Sequence, residues 1–84
     1  MARLTYFVVV PFAAGDDGEL VPGDPVEARD SESARRMALR LTGSGAAGAL
    51  AFSRAADPDI GVYEDAVVID RVGTVPSDWA GMFG

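Results

Sequence analysis

The side chains of this sequence that could take part in chemistry are carboxylates, guanidinium groups and the hydroxyls of Ser, Thr and Tyr. Its 84 residues include thirteen Asp and Glu and seven basic residues, and the formal net charge is −6. All of the basic residues are Arg, and Lys, His and Cys are absent. The chain therefore lacks an imidazole base, a thiolate nucleophile, a Schiff-base lysine and a Cys-based zinc site. Carboxylates leave open acid–base hydrolysis by a pair of acids and cation binding by several oxygens.

The spacing of the carboxylates favours neither of these chemistries. A hydrolytic pair must flank a cleft that holds a sugar, and a chain of this length with one helix is too small to build such a cleft. The segment from Asp57 to Asp65 contains four acids but lacks the alternating ligand spacing of an EF-hand. We therefore expect no enzyme activity, no catalytic residue, no metal site and no cofactor. A module that binds a cation through oxygen ligands is a third alternative for the function, after the two hypotheses given below.

The acidic residues are unevenly distributed, since twelve of the thirteen lie in residues 16–32 or 57–70. This negative charge disfavours direct contact with nucleic-acid phosphates and favours a basic protein surface as the partner. Alternate residues of an extended chain lie about 6.6 Å apart, close to the phosphate spacing of a nucleic-acid strand. Pairs such as Asp17/Glu19 and Asp57/Asp59 could therefore imitate a nucleic acid. The simpler interpretation is that acidic loops keep a small protein soluble. The candidate partner-binding residues are Asp16, Asp17, Glu19, Asp24, Glu27, Asp57, Asp59, Glu64 and Asp65.

The first element that must position these acids is a strand at residues 4–12 (LTYFVVVPF). It is apolar on both faces, which is typical of a central strand or of a sheet covered on both sides. Pro11 cannot donate to a neighbouring strand, so pairing on one side should fail there. Two short extended pieces follow at residues 19–21 and 25–28, at an edge. The alternation predicts Tyr6, Val8 and Val10 on one face and Phe7 and Val9 on the other.

A single helix of about twelve residues is predicted after Asp30, which is a good N-cap residue. Glu32 in the first turn suits the helix dipole and can pair with Arg36. The glycines from Gly43 onward end the helix. Residues 48–54 and 66–72 then predict two more strands, paired with each other through a long acidic loop at residues 55–65. The apolar stripe of the helix consists of Ala34, Met37, Ala38 and Leu41.

The order β-β-α-β-β predicts an α+β fold, with a small four-stranded, mainly antiparallel sheet and one helix on one face. Residues 1–84 form a single domain. Because the helix covers only one face, the second face needs the tail at residues 73–84, a second copy or a partner. The tail carries Trp79, Met82 and Phe83 for this purpose. No apolar run is long enough to span a membrane, and no signal-peptide pattern is visible, so we expect a cytoplasmic protein.

Several segments resemble a group of short proteins of unassigned function from bacterial chromosomes, prophages and gene-transfer-agent regions. These segments are TYFVVVPF, LVPGDPVEA, ALAFSR and DAVVIDRVGTVP. By its size, acidity and lack of catalytic groups the chain also resembles anti-CRISPR proteins, the type I-C inhibitors most of all. This resemblance implies stoichiometric binding to the Cascade surveillance complex and a block of target-DNA recruitment. These inhibitors share no common motif, so the resemblance assigns no residue to a site.

Two hypotheses about function follow from the sequence. The leading one is a non-enzymatic inhibitor that binds a basic DNA-binding surface of Cascade through its acidic residues. The alternative is a small host interaction or regulatory module, monomeric or homodimeric, that uses the second sheet face or the segment 79–83 as its contact surface.

Overall fold

Two long antiparallel strands form the centre of the sheet. The computed structural model describes residues 4–57 and 59–79, and within them β1 (Leu4–Ala14) pairs with β4 (Gly48–Asp57) in one unbroken register. That register runs from Leu4 opposite Ala56 to Phe12 opposite Gly48. The remaining elements are β2 (Leu20–Pro22), β3 (Val26–Ala28), α1 (Ser31–Gly43), β5 (Val62–Tyr63) and β6 (Val67–Gly73).

The short strands flank this central pair, and every pairing is antiparallel. β2 and β3 lie one after the other along the outer edge of β1, and β5 and β6 lie along the outer edge of β4. The six strands thus occupy four positions across the sheet. This arrangement confirms the predicted α+β fold with one helix and a small antiparallel sheet.

The ladder on the outer side of β1 is interrupted at Val10 and Pro11, as the sequence predicted. β3 pairs with residues 7–9 of β1 and β2 pairs with residues 12–14. Between them the Gly23 amide donates a hydrogen bond of 2.8 Å to the Pro11 carbonyl. A proline nitrogen has no hydrogen to donate, and the chain uses the interruption to divide its edge into two short strands.

The helix begins and ends where the capping residues predicted. The Asp30 carboxylate accepts a hydrogen bond of 2.7 Å from the Ser33 amide, and the Ser44 amide closes the last turn on the Arg40 carbonyl. The predicted stripe faces the sheet, where α1 packs on β1, β3, β4 and β6. The residues buried at this contact are mostly small: Val9, Ala28, Ala34, Ala38, Ala49 and Ala51. Small side chains on both surfaces let the helix backbone lie close to the sheet.

The opposite face of the sheet is filled by larger side chains. Val10, Phe12, Leu50 and Phe52 form its core, and the Trp79 ring stacks on Phe52 with 5.8 Å between ring centroids. Trp79 is only 7% exposed, so the tail contributes to covering this face as predicted. Met82 and Phe83, for which the same role is predicted, lie outside the described residues.

β6 contains a β-bulge that places an extra side chain on the helix side of the sheet. Its pairing with β4 shifts between Ala51 and Phe52, which leaves Ile69 as an extra residue. A bulge of this kind re-aims neighbouring side chains. As a result Ile69 packs on the helix-side core while Asp70 forms an ion pair of 3.7 Å with Arg35 of the helix.

The prediction of a long acidic loop was wrong for residues 55–57 and 62–63, which are strand, and right for residues 59–61 and 64–65, which lie outside the strands. β4 continues to Asp57 and β5 returns antiparallel to it, with Ala56 opposite Tyr63 and Asp57 opposite Val62. The error arose because acids and small residues carry weak strand propensity. Pairing with the first residues of β1 supplies the hydrogen bonds that hold this part of β4 extended.

Replacing Gly48 by Ala is expected to destabilise the protein. A Cβ added at Gly48 would overlap the backbone of Thr74, since it would lie 2.6 Å from the carbonyl carbon and 2.7 Å from the amide nitrogen. Overpacking against rigid backbone typically costs about 1–3 kcal/mol. Urea unfolding of Gly48→Ala should show this loss, whereas Gly43→Ala, where a Cβ meets nothing within 4 Å, should stay within about 1 kcal/mol of wild type.

Trp79 is expected to be a main contributor to stability. Trp79→Ala removes the ring that stacks on Phe52 and should reduce the free energy of unfolding by about 3–5 kcal/mol, much of the stability of a small domain. Trp79→Phe should lose less, because an aromatic ring remains on Phe52. Leu39→Ala, at a helix position that is 55% exposed, is the control. Equal urea midpoints for Trp79→Ala and Leu39→Ala would contradict this role.

Candidate functional site

The first group of candidate acids lies in the connection between β1 and β2. We call Asp16, Asp17 and Glu19 the turn patch, and all three are exposed. The turn is closed by a hydrogen bond of 2.7 Å from the Gly15 amide to the Glu19 carbonyl. The Asp17 carboxylate accepts a second one, of 3.0 Å, from the Glu19 amide. The carboxylates therefore project from an ordered turn.

The second group lies at the far end of β4 and in the chain that flanks β5. We call Asp57, Asp59, Glu64 and Asp65 the tip patch; Asp57 is half-buried and the other three are exposed. The Asp57 carboxylate accepts a hydrogen bond of 3.1 Å from the Asp59 amide, and the Asp57 carbonyl accepts one of 3.3 Å from the Ile60 amide. The Glu64 amide donates to the Ala55 carbonyl at 2.9 Å. The tip patch thus belongs to a hydrogen-bonded hairpin.

The pairs that were predicted to lie along an extended chain do not do so. In both Asp17/Glu19 and Asp57/Asp59 the first carboxylate accepts a hydrogen bond from the backbone amide of the second residue. Asp side chains favour this kind of turn over continued strand. The phosphate-like spacing of about 6.6 Å, which requires extended backbone, therefore does not apply to these pairs.

The structure places the two patches at opposite ends of the molecule. The turn patch follows the last residue of β1, whereas the tip patch adjoins its first residues, and the eleven residues of β1 span about 33 Å. The longest dimension of the molecule is 45 Å. The patches also lie on opposite sides of the central pair, since β2 borders β1 and β5 borders β4. Asp24 and Glu27 are exposed on the β2–β3 edge, with Glu27 opposite Val8.

Three further acids within the two sequence blocks are engaged with the helix. Asp70 pairs with Arg35, and Glu32 pairs with Arg36 at 3.9 Å, four residues along the helix. Asp30 caps the helix and lies 3.7 Å from the Arg29 guanidinium. These contacts give Asp30, Glu32 and Asp70 structural roles.

The helix cap also changes the protonation of Asp30. The hydrogen bonds from the Ser33 amide and the Ser33 side chain, with smaller contributions from Arg29 and Arg36, hold the pKa of Asp30 below its ordinary value of 3.8. Each of these partners favours the ionised carboxylate. The group therefore stabilises the helix most in its charged form.

The described residues form a groove, and contain no metal-ligand cluster or buried charge. Among residues 4–57 and 59–79 no three acidic side chains lie together so that they could hold a metal ion, and no charged or polar residue is buried. A groove of about 600 Å³ lies between β2 and residues 76–78. Its described lining contains Glu19 and Asp78 as ionisable groups, with Leu20, Pro22 and Pro76 around them.

A set of exposed apolar residues at the tip is not apparent from the sequence pattern. The pattern assigns Ile60, Val62 and Tyr63 to a loop, but they form the turn and the second strand of a hairpin. The Arg54 guanidinium lies 5.8 Å from the centroid of the Tyr63 ring. The signal that could have revealed them is a β-branched residue followed by an aromatic one directly after Gly61, a common start of a returning strand.

Comparisons with known proteins add no relative to this picture: no protein-family model, no curated protein and no solved structure matches the chain. Within the part of the chain that the structure describes, α1 is too short to cross a bilayer, and no other helix meets the length and apolarity that crossing requires.

The Asp30 cap is expected to make stability depend on pH in a specific range. Because the folded pKa is lowered, the stabilisation is fully present above the ordinary value near 3.8 and is lost as the pH falls through the folded pKa. Urea midpoints of wild type and Asp30→Ala should therefore differ most at neutral pH and converge in acid. Asp30→Asn, which keeps a capping oxygen, should fall between them at neutral pH. A gap between wild type and Asp30→Ala that does not vary with pH would contradict the charged cap.

Proposed function

We propose that this protein is a non-enzymatic inhibitor that binds the basic DNA-binding surface of a CRISPR Cascade complex and blocks recruitment of target DNA. The observation that carries the proposal is the placement of its acids. Eight of the nine candidate carboxylates are exposed and the ninth, Asp57, is half-buried. The proposal also rests on the resemblance to type I-C inhibitors.

Electrostatics supports a basic partner. A net charge of −6 on 84 residues gives a negative field that speeds encounter with a positive groove and repels nucleic acid. DNA-binding grooves carry the Lys and Arg that neutralise phosphates. An acidic protein of this size competes with DNA for these side chains.

The separation of the two patches is also compatible with imitation of a duplex. The length of β1, about 33 Å, corresponds to roughly ten base pairs at 3.4 Å per phosphate along each strand. The turn patch and the tip patch thus lie about one helical turn of DNA apart. The proposed imitation of DNA therefore rests on these two distant patches. It does not rest on neighbouring acids within one strand.

The alternative function is a host interaction module that uses the segment 79–83 as its contact surface. The burial of Trp79 argues against a contact role for this residue. Its ring is stacked on Phe52 and 7% exposed. A side chain that fills the core of its own domain is poorly placed to bind another protein.

Binding to purified type I-C Cascade tests the proposal. Immobilised Cascade should capture the wild-type protein at about 50 mM salt and much less at about 300 mM, because exposed charge contacts are screened. Capture should also reduce the binding of target DNA to Cascade. The tip variant carries Asp57→Asn, Asp59→Asn, Glu64→Gln and Asp65→Asn; the turn variant carries Asp16→Asn, Asp17→Asn and Glu19→Gln.

Each of these variants should bind Cascade about tenfold or more weakly, since three or four exposed charge contacts contribute about 0.2–1 kcal/mol each. Asn keeps the side-chain oxygen that accepts the turn hydrogen bonds, so the fold should persist, which circular dichroism can check. Glu32→Gln with Asp70→Asn removes two charges beside the helix and should bind like wild type. Failure of Cascade to capture the wild type, or capture that ignores both salt and the two variants, overturns the proposal.

A further inference from the structure

We infer that the hairpin tip formed by Ile60, Val62 and Tyr63 is an apolar anchor that inserts into an apolar cleft on a basic protein surface. This inference deepens the proposed function and rests on it for the charge of the partner. It changes which residues hold the partner, because the carboxylates become the rim of the contact and the apolar tip becomes its centre.

The tip concentrates exposed apolar surface at one end of the molecule. Ile60 is 72% exposed, Tyr63 58% and Val62 49%. The helix does not reach this end, since α1 contacts neither β5 nor β2. Past the end of the helix the strands β1, β4 and β5 continue, and the apolar side chains of the tip are exposed to solvent.

Both faces of the hairpin contribute to this surface. Leu4, Ala56 and Tyr63 are directly opposite one another across three strands, and directly opposite residues share one face of a sheet. Counting along β1, this is the face of Val8 and Val10, away from the helix. Val62 is opposite Asp57 and so lies on the other face. A projection that carries an exposed apolar side chain on each face and at its end fits a cleft better than a flat surface.

Tyr63 is held in place before any partner binds. The Arg54 guanidinium lies 5.8 Å from the ring centroid, in cation–π range. The Arg54 Nε atom in turn donates a hydrogen bond of 2.9 Å to the Glu64 carbonyl. Pre-ordering an exposed aromatic side chain lowers the entropy lost on binding. Tyrosines of this kind are frequent among the residues that dominate binding energy at interfaces.

The charges around the tip select the partner. The four carboxylates of the tip patch lie within residues 57–65, on both sides of the apolar residues in sequence. A second copy docked tip to tip would bring acids against acids, and anionic lipid or nucleic acid would be repelled. Lys and Arg around an apolar cleft complement both the centre and the rim. The occupant is therefore a basic protein surface.

Two synthetic peptides of equal positive charge test this inference without any natural partner. One is an amphipathic helix of Leu and Lys of about 18 residues, long enough to fold; in the other, Ser replaces Leu. Both are titrated into the isotope-labelled full chain and followed by amide chemical shifts. The Leu–Lys peptide should bind at least about tenfold more tightly than the Lys–Ser peptide and should shift the amides of residues 60–63 most.

Variants locate the anchor. Tyr63→Ala and Ile60→Ser should each weaken binding of the Leu–Lys peptide about fivefold or more. The affinity for the Lys–Ser peptide should not change. Tyr63→Phe keeps the ring over Arg54 and should bind like wild type. Leu39→Ala removes a comparably exposed apolar side chain from the helix and is the matched control. Equal affinity for both peptides, shifts centred away from the tip, or concentration-dependent self-association through residues 60–63 would overturn the inference.

The same variants on Cascade separate this inference from the proposed function. If the peptides discriminate as expected but Cascade captures nothing, the proposed function fails and the anchor stands. If Cascade captures the wild type and Tyr63→Ala and Ile60→Ser equally well, the anchor fails and the proposed function stands.

Discussion

The pairing of β1 with β4 is the constraint on which the rest of this structure depends. Its continuous antiparallel register fixes the face on which each side chain of the two strands lies, because a shift by one residue would exchange the two faces. Val9 and Ala51 are opposite each other on the helix side, and Val10 and Leu50 on the other. The helix, the four short strands and the tail all attach to this one ladder.

The two faces of the ladder solve the problem of burial differently. On the helix side, alanines such as Ala38 and Ala51 let a helix lie against the sheet, and the helix itself supplies the cover. On the other side the larger side chains Phe12, Phe52 and Trp79 provide the bulk. Large aromatic rings bury much surface per residue. This allows a short tail to contribute to a layer that a second helix supplies in larger domains.

Because the β1–β4 ladder is longer than the helix, it determines which residues of the proposed contact surface stay exposed. β1 and β4 extend past the part that α1 covers, and β5 adds to this overhang. Acids in the connections at the two ends are thereby held far apart and exposed, while acids near the helix are engaged by Arg35, Arg36 and the helix cap. The same overhang leaves Tyr63 and Ile60 in solvent. Acidic and apolar side chains are both exposed at this end because no described helix or strand packs over the sheet there.

Local signals were sufficient for most of the fold. The β-branched run of β1, the Asp30 cap and the stripe from Ala34 to Leu41 each predicted their element, because strand alternation and helix periodicity are properties of adjacent residues. Pro11 even predicted where pairing would be interrupted. Composition likewise determined that the ionisable groups of any functional surface here are carboxylates, guanidinium groups and the phenols of two tyrosines.

What the sequence by itself determined, then, is the set of elements apart from β5, the alternation of their faces and the inventory of reactive groups. Only the tertiary structure decided that Asp70 pairs with Arg35 of the helix, that the two acidic groups lie at opposite ends, and that residues 55–63 form a hairpin. The physical reason is that these properties depend on contacts between distant parts of the chain. Tyr63 meets Ala56 and Arg54 only because β4 is held straight by β1, and no local propensity encodes that support.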